Sequence, residues 1–143
     1  ERSGASERGT ITGLYTVLVD GDDLTEPIAD AVRSILDGHI VLSRQLADRN
    51  HYPAIDVLRS VSRVMDNIVS PEHKLAAGRF RDVLATYRES EDLINIGAYV
   101  GGSNARIDQA VAMIDSLNEY LRQAKDERAS YEEAVDRLLA LAG

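Results

Sequence analysis

From residue 10 to residue 42 the chain reads TITGLYTVLVDGDDLTEPIADAVRSILDGHIVL, and the order of textures along this stretch decides the fold. Residues 10–19, TITGLYTVLV, are a nearly continuous β-branched and aromatic run. Such a run suits a strand buried on both faces of a parallel sheet. Gly21, Asp22 and Asp23 break it. Thr25 suits a helix cap, with Glu26 and Pro27 in the first turn, where a missing N–H costs nothing. Ile28, Ala31, Val32, Ile35 and Leu36 give this helix one apolar stripe, and Gly38 predicts its end. His39-Ile40-Val41-Leu42 is a second β-rich run. Strand, helix and strand with short links make a βαβ pattern, which implies a sheet covered by helices. Residues 54–58, AIDVL, suit either a third strand or the start of a helix.

The texture changes near residue 70 and is helical from there on. Ser70 as cap with Pro71 at the first helical position is a start signal. Ala76, Phe80, Val83 and Tyr87 recur at helical spacing on one face. Gly97 predicts the stop, and Val100-Gly101-Gly102-Ser103 reads as a flexible corner. Ile107, Ala110, Val111, Ile114, Leu117 and Leu121 form the clearest amphipathic stripe. Ser130-Tyr131-Glu132-Glu133 reads as a capping box opening a last helix with Val135, Leu138 and Leu139.

Composition limits the function classes. The 143 residues hold 16 Lys+Arg against 24 Asp+Glu, a formal charge of -8. Non-specific nucleic-acid binding needs a surplus of cations, so that class is disfavoured. At 44% hydrophobic residues there is enough apolar surface for a core, which excludes global disorder. Cys is absent, which excludes disulfide and thiolate-metal frameworks. No apolar run approaches the ~20 residues that span a bilayer. The first residue is Glu1 rather than Met, as expected of a piece of a longer chain.

The residues alone assemble no active site. His39, His51 and His73 lie in separate segments without a second ligand at metal-binding spacing, so no metal site is expected. The Asp20–Asp23 cluster lacks the later Gly and Glu of a calcium loop. Residues 4–10, GASERGT, have two glycines five apart, but no Lys follows Gly9 and a strand stands where a phosphate loop requires a helix. Arg44 and Arg63 each follow a Ser in apolar surroundings, and an internal ion pair is the plain reading of both.

Residues 21–65, GDDLTEPIADAVRSILDGHIVLSRQLADRNHYPAIDVLRSVSRVM, resemble the hexameric rotary-ATPase family. Within it they look most like the flagellar type III protein-export ATPase and its cousin, the virulence type III secretion ATPase. The likeness continues through NIVSPEH (67–73), LINIGAY (93–99) and NEYLRQ (118–123), and the tail from residue 121 leans toward the flagellar member. The implied fold is α/β then all-α. Residues 1–69 would be the C-terminal part of a RecA-like P-loop NTPase sheet, and residues 70–143 a C-terminal helical bundle domain. The resemblance puts the phosphate loop, the magnesium-binding Asp and the catalytic Glu upstream of Glu1. These 143 residues by themselves are then expected to be inactive.

The resemblance also implies roles for particular residues. Arg63, in SVSRV, matches the arginine finger that reaches the neighbouring subunit's γ-phosphate. Tyr52, in HYPAID, matches the aromatic residue that packs on adenine, and Pro53 biases its backbone toward an extended form. Tyr131 matches a second adenine-pocket aromatic, with core packing as its alternative. Asp22, Asp23, Thr25 and Glu26 match an acidic loop that touches the central stalk. Gly97, Gly101, Gly102, Ser103 and Asn104 lie in the corner matching the helix-turn-helix that pushes on that stalk. A neutral AYVGGSN stands there in place of the rotary synthase's acidic segment. The implied ligands are ATP and Mg, with the metal ligands outside these residues. The implied partners are five further copies in a homohexamer, a central-stalk protein, export-gate proteins and export chaperones. The implied place is the cytoplasm, at the inner face of the membrane export apparatus, with membrane association only through partners. A non-catalytic interaction module is the rival reading for these residues alone.

Overall fold

The computed structural model describes residues 4–19 and 27–143, with the backbone alone at Ile28 and Ala29. The chain forms two compact units, Glu1–Leu36 and Asp37–Gly143.

In the first unit, β1 (Gly4–Ser6) and β2 (Gly9–Ile11) make an antiparallel hairpin with Ser6 opposite Gly9. The glycine-bearing residues 4–10 are thus a hairpin. Residues 12–19 carry no regular secondary structure, and Leu14 and Leu18 are more than nine-tenths exposed. The expected doubly buried strand over 10–19 is therefore corrected to its first two residues. A strand of that kind needs a ladder partner on each side, and no other strand pairs with residues 12–19 among the described residues. Helix α1 (Pro27–Ile35) begins at the expected proline, with Asp30 in its first turn and Arg33 in its last, the order the helix dipole favours. Its stripe is half-buried at Val32 and Leu36, while Ile35 is exposed. The cap expected at Thr25 lies outside the described residues.

The second unit opens with β3 (Gly38–His39), which pairs antiparallel with β4 (Val61–Ser62). The expected βαβ unit would link residues 10–19 to 39–42; among the described residues β3 pairs instead with β4, as residues 40–60 return the chain alongside it in the opposite sense. Gly38 does not cap the helix. It lets the strands approach, since a Cβ there would meet the Val61 carbonyl oxygen at 2.6 Å. Between the strands, Ser43 caps α2 (Arg44–Asp48) through its hydroxyl. Leu42 and Ile55 then form a single antiparallel bridge, so residues 54–58 hold neither a full strand nor a helix. A short α3 (Met65–Ile68) leads to the bundle.

The bundle is α4 (Pro71–Asn95), α5 (Ala105–Leu121) and α6 (Tyr131–Ala142). Ser70 accepts the His73 amide with Pro71 at the first position, as the sequence predicts. Gly97, at φ +71°, closes α4: its N–H donates to Ile94, and the Ala98 N–H to Leu93. That pair of bonds is a Schellman ending, which a left-handed glycine allows. Ser130 and Glu133 form the expected reciprocal capping box. Ala76, Phe80 and Leu84 of α4, Leu117 of α5, and Leu138 and Ala142 of α6 make the core. Leu117 is fully buried, worth about 1.5–3 kcal/mol of transfer free energy. Phe80 meets Tyr120 with ring centroids 5.4 Å apart and tilted.

Val57 and Leu58 pack against this helical core. The Asp56 carboxylate, nearly buried, accepts from Arg88 of α4 at 2.8 Å, and Arg49 pairs with Glu91 on the surface. The compact division of the chain therefore falls at residues 36 and 37, ahead of the textural change at residue 70. Among the described residues, no helix is long and apolar enough to cross a membrane.

Candidate functional site

Residues 51–63 carry the two side chains singled out for nucleotide chemistry, Tyr52 and Arg63. Hydrogen bonds fix the backbone between them. The Tyr52 carbonyl accepts the Gln123 amide at 2.9 Å, just beyond the end of α5. Tyr52–Pro53 is a cis peptide. The Ser43 amide donates to Ala54, and the Asp56 amide to Val41. Ser60 donates from both its amide and its hydroxyl to the Asp56 carbonyl, and its hydroxyl accepts the Val41 amide. His39 donates a ring N–H to the Arg59 carbonyl at 3.1 Å. The Arg63 amide closes the set on the Asp37 carbonyl at 2.8 Å.

Tyr52 and Arg63 both present to the surface. Arg44 is exposed too, at the first turn of α2. Neither guanidinium is interior, as the apolar flanks had suggested: exposure avoids the desolvation cost of burying a charge. The buried acid of this region is Asp56, which also accepts the Leu58 and Arg59 amides. His51 is buried as well. Desolvation chiefly, then the charges of Arg122 and Arg88, hold the His51 imidazole below its ordinary value of 6.5.

A cleft of about 330 Å³ is lined by Pro53, Tyr120, Arg122, Tyr131 and Arg137, among others. It brings the residue following Tyr52 and the Tyr131 position to one place, although the sequence separates them widely. Tyr131 is largely exposed, which removes core packing as its role. Its hydroxyl lies 3.5 Å from His73 Nδ1 at the start of α4. Tyr120 forms the floor: its hydroxyl donates to the Ala134 carbonyl, and Arg137 stands over its ring at 5.6 Å. Burial raises the Tyr120 phenol above its usual range. Tyrosine faces beside the guanidiniums of Arg122 and Arg137, with the Glu127 carboxylate also lining the cleft, suit a flat aromatic ligand. The sequence reading missed Arg122, Gln123 and Arg137 as individuals; the NEYLRQ stretch was the signal that held two of them.

The corner after α4 is more ordered than its glycines suggest. Asp108 accepts the Gly102 amide on both carboxylate oxygens at 3.0 Å, and the Tyr99 hydroxyl at 2.9 Å. Asn104 caps α5 on the Arg106 amide, and the Ser103 hydroxyl donates to Val100. The expected flexible corner is thus a hydrogen-bonded turn. The reason is a single half-buried carboxylate whose lone pairs hold both Gly102 and Tyr99. Gly97, Gly101, Gly102, Ser103 and Asn104 are all exposed around it. Asp22, Asp23, Thr25 and Glu26 lie outside the described residues. No group of three or more His, Asp or Glu side chains converges to hold a metal among the described residues.

Comparison with known proteins places these features. Residues 69–140 match the T3SS EscN ATPase C-terminal domain, and residues 1–62 match the nucleotide-binding domain of the ATP synthase alpha/beta family. A flagellum-specific ATP synthase of Bacillus subtilis is 57% identical over the whole chain, which spans 33% of that protein. A type 3 secretion system ATPase of Sinorhizobium fredii is 58% identical over 94% of the chain, which spans 30% of that protein. The chain therefore covers about a third of the curated relatives it matches. The assembled ATPase EscN of the enteropathogenic E. coli type III secretion system, solved in complex with its central stalk EscO, has the same fold. Its TM-score is 0.88 at 42% identity, over 99% of this chain and 33% of that one. With one family model spanning half of its length and the fold shared end to end, the chain belongs to the type III secretion ATPase family defined by the EscN C-terminal domain.

Proposed function

We propose that these residues are the C-terminal part of an ATPase that powers flagellar protein export by hydrolysing ATP at the interfaces of a homohexamer. On this reading residues 1–69 complete the nucleotide-binding domain and residues 70–143 form the helical domain. The observation that carries it is the cleft joining Pro53, beside Tyr52, to Tyr131. Tyr131 lines this cleft and Tyr52 adjoins its Pro53 wall, and each offers a π-face for a purine. Arg63, held through its backbone to Asp37, serves as the finger to a neighbouring subunit. There a guanidinium meets the negative charge that phosphoryl transfer spreads over the equatorial oxygens. Magnesium supplies charge neutralisation in this chemistry when bound. No carboxylate cluster converges to hold it among the described residues.

The ordered corner at residues 97–104 contacts a central stalk, as the EscN complex with EscO supports by likeness. Export-gate proteins and chaperones complete the partners, at the cytoplasmic face of the membrane export apparatus. The identity to the Sinorhizobium relative favours a second reading, a virulence type III secretion ATPase, with the same chemistry. The 143 residues without the phosphate loop act only as an interaction module. The test is equilibrium titration of the full-length enzyme with a fluorescent adenine nucleotide. Tyr52→Ala and Tyr131→Ala are expected to weaken binding, and unchanged affinity in both would overturn the cleft assignment.

A further inference from the structure

The Asp56–Arg88 ion pair sits in the middle of the segment that joins Tyr52 to Arg63. Asp56 is 6% exposed, and its Oδ1 accepts Arg88 Nη1 at 2.8 Å together with the Leu58 and Arg59 amides. Its own amide and carbonyl tie it to Val41 and Ser60. Ser60 grips the Val41 amide, β4 pairs with β3, and the Arg63 amide reaches Asp37. On the other side, Tyr52 is bonded to Gln123. Residues 52–63 are therefore one hydrogen-bonded body, and its buried carboxylate is anchored by the half-buried Arg88 on α4, the longest helix.

We propose that Arg88 and Asp56 are positioning residues that make residues 52–63 move as one piece with the helical bundle. A displacement of α4 then shifts the adenine contact at Tyr52 and the finger at Arg63 together. In a ring of identical subunits these two residues serve different nucleotides, one held by the same chain and one by its neighbour. The pair thereby links two adjacent sites through a single rigid segment. A buried carboxylate that loses its cation has no inexpensive alternative arrangement, so the linkage is stiff. This inference rests on the roles given to Tyr52 and Arg63 above.

The experiment uses the full-length hexameric enzyme with Arg88→Met, Arg88→Lys and Asp56→Asn, measuring kcat, KM for ATP and thermal unfolding. Arg88→Met is expected to raise KM and lower kcat, each on the order of tenfold, because small misplacements of positioned groups are costly. Arg88→Lys, which keeps the charge, is expected to recover most of both. If Arg88→Met does not assemble, Asp56→Asn keeps the shape and carries the same expectation. In an Arg63→Ala background, Arg88→Met is expected to leave kcat where Arg63→Ala put it, since the finger it positions is gone. Further multiplicative loss of the residual rate there, while Arg63→Ala alone lowers hydrolysis by about 10³-fold, would overturn the proposal and leave the finger standing. A lowered melting temperature with kcat and KM unchanged would also overturn it, reducing the pair to a structural contact. Full hydrolysis by Arg63→Ala alone would remove the finger reading, and with it the link between sites.

Discussion

The amide of Gln123 donates to the carbonyl of Tyr52 across 2.9 Å, joining the end of α5 to the loop that carries the candidate adenine contact. Helix α5 has 17 residues, a rod about 26 Å long, and its other end carries Asp108 and the corner turn. One rigid element therefore runs from the proposed stalk contact to the edge of the proposed nucleotide cleft.

Tyr52 is half-exposed at the edge of its loop. Stacking on a base is worth about 1–3 kcal/mol by alanine substitution and is tolerant of base identity. In the full-length enzyme, Tyr52→Ala is expected to raise KM for ATP roughly ten- to a hundredfold, with a smaller fall in kcat. Tyr52→Phe is expected to stay near the parent. The parent enzyme is expected to accept GTP with a kcat/KM of the same order as ATP. Steady-state kinetics with both nucleotides check all three.

Asp108 holds the corner through the Gly102 amide and the Tyr99 hydroxyl. Asp108→Ala leaves these donors to water and is expected to cost about 1–3 kcal/mol. Tyr99→Phe removes one donor and is expected to cost less. If the ordered turn is what presses on the stalk, stimulation of hydrolysis by a stalk protein falls in Asp108→Ala while unstimulated turnover holds. Unfolding curves and stimulated ATPase assays read the two effects separately.

His51 sets a pH dependence. Its folded imidazole is held below the ordinary 6.5, so near and below that pH the unfolded chain binds more protons. Stability is then complete above about pH 6.5 and declines as the pH falls through the His51 window. Glu72 and Glu133, held below their ordinary 4.5 by the cap hydrogen bonds, add their own loss only at lower pH. His51→Gln is expected to flatten the decline of stability that sets in below about pH 6.5 without altering the acid limb. Thermal unfolding across that range is the check.

The helical half was legible because its signals are local. Ser70-Pro71, Gly97 and the Ser130–Glu133 box act within four residues of themselves, and each cap stands where the sequence put it. The strand over residues 10–19 was misread because a buried strand is a property of its neighbours, and composition does not say where they are. The Asp56–Arg88 pair escaped for a related reason: its members lie 32 residues apart, and neither is unusual in its own segment. Arg44 and Arg63 looked interior from their apolar flanks, yet a long side chain carries its charge out to solvent. Tyr52 and Tyr131 were named from family likeness alone, and only the folded chain brings Pro53, beside Tyr52, to the cleft that Tyr131 lines.

On the proposed reading, Arg63 acts on phosphoryl transfer in a neighbouring subunit. The most direct measurement compares nucleotide affinity and single-turnover hydrolysis in full-length hexamers with and without Arg63→Ala. The account predicts near-parental nucleotide affinity with hydrolysis reduced by about 10³-fold or more. Hydrolysis within a few-fold of the parent, or an equal loss of affinity and rate in correctly assembled hexamers, would contradict it.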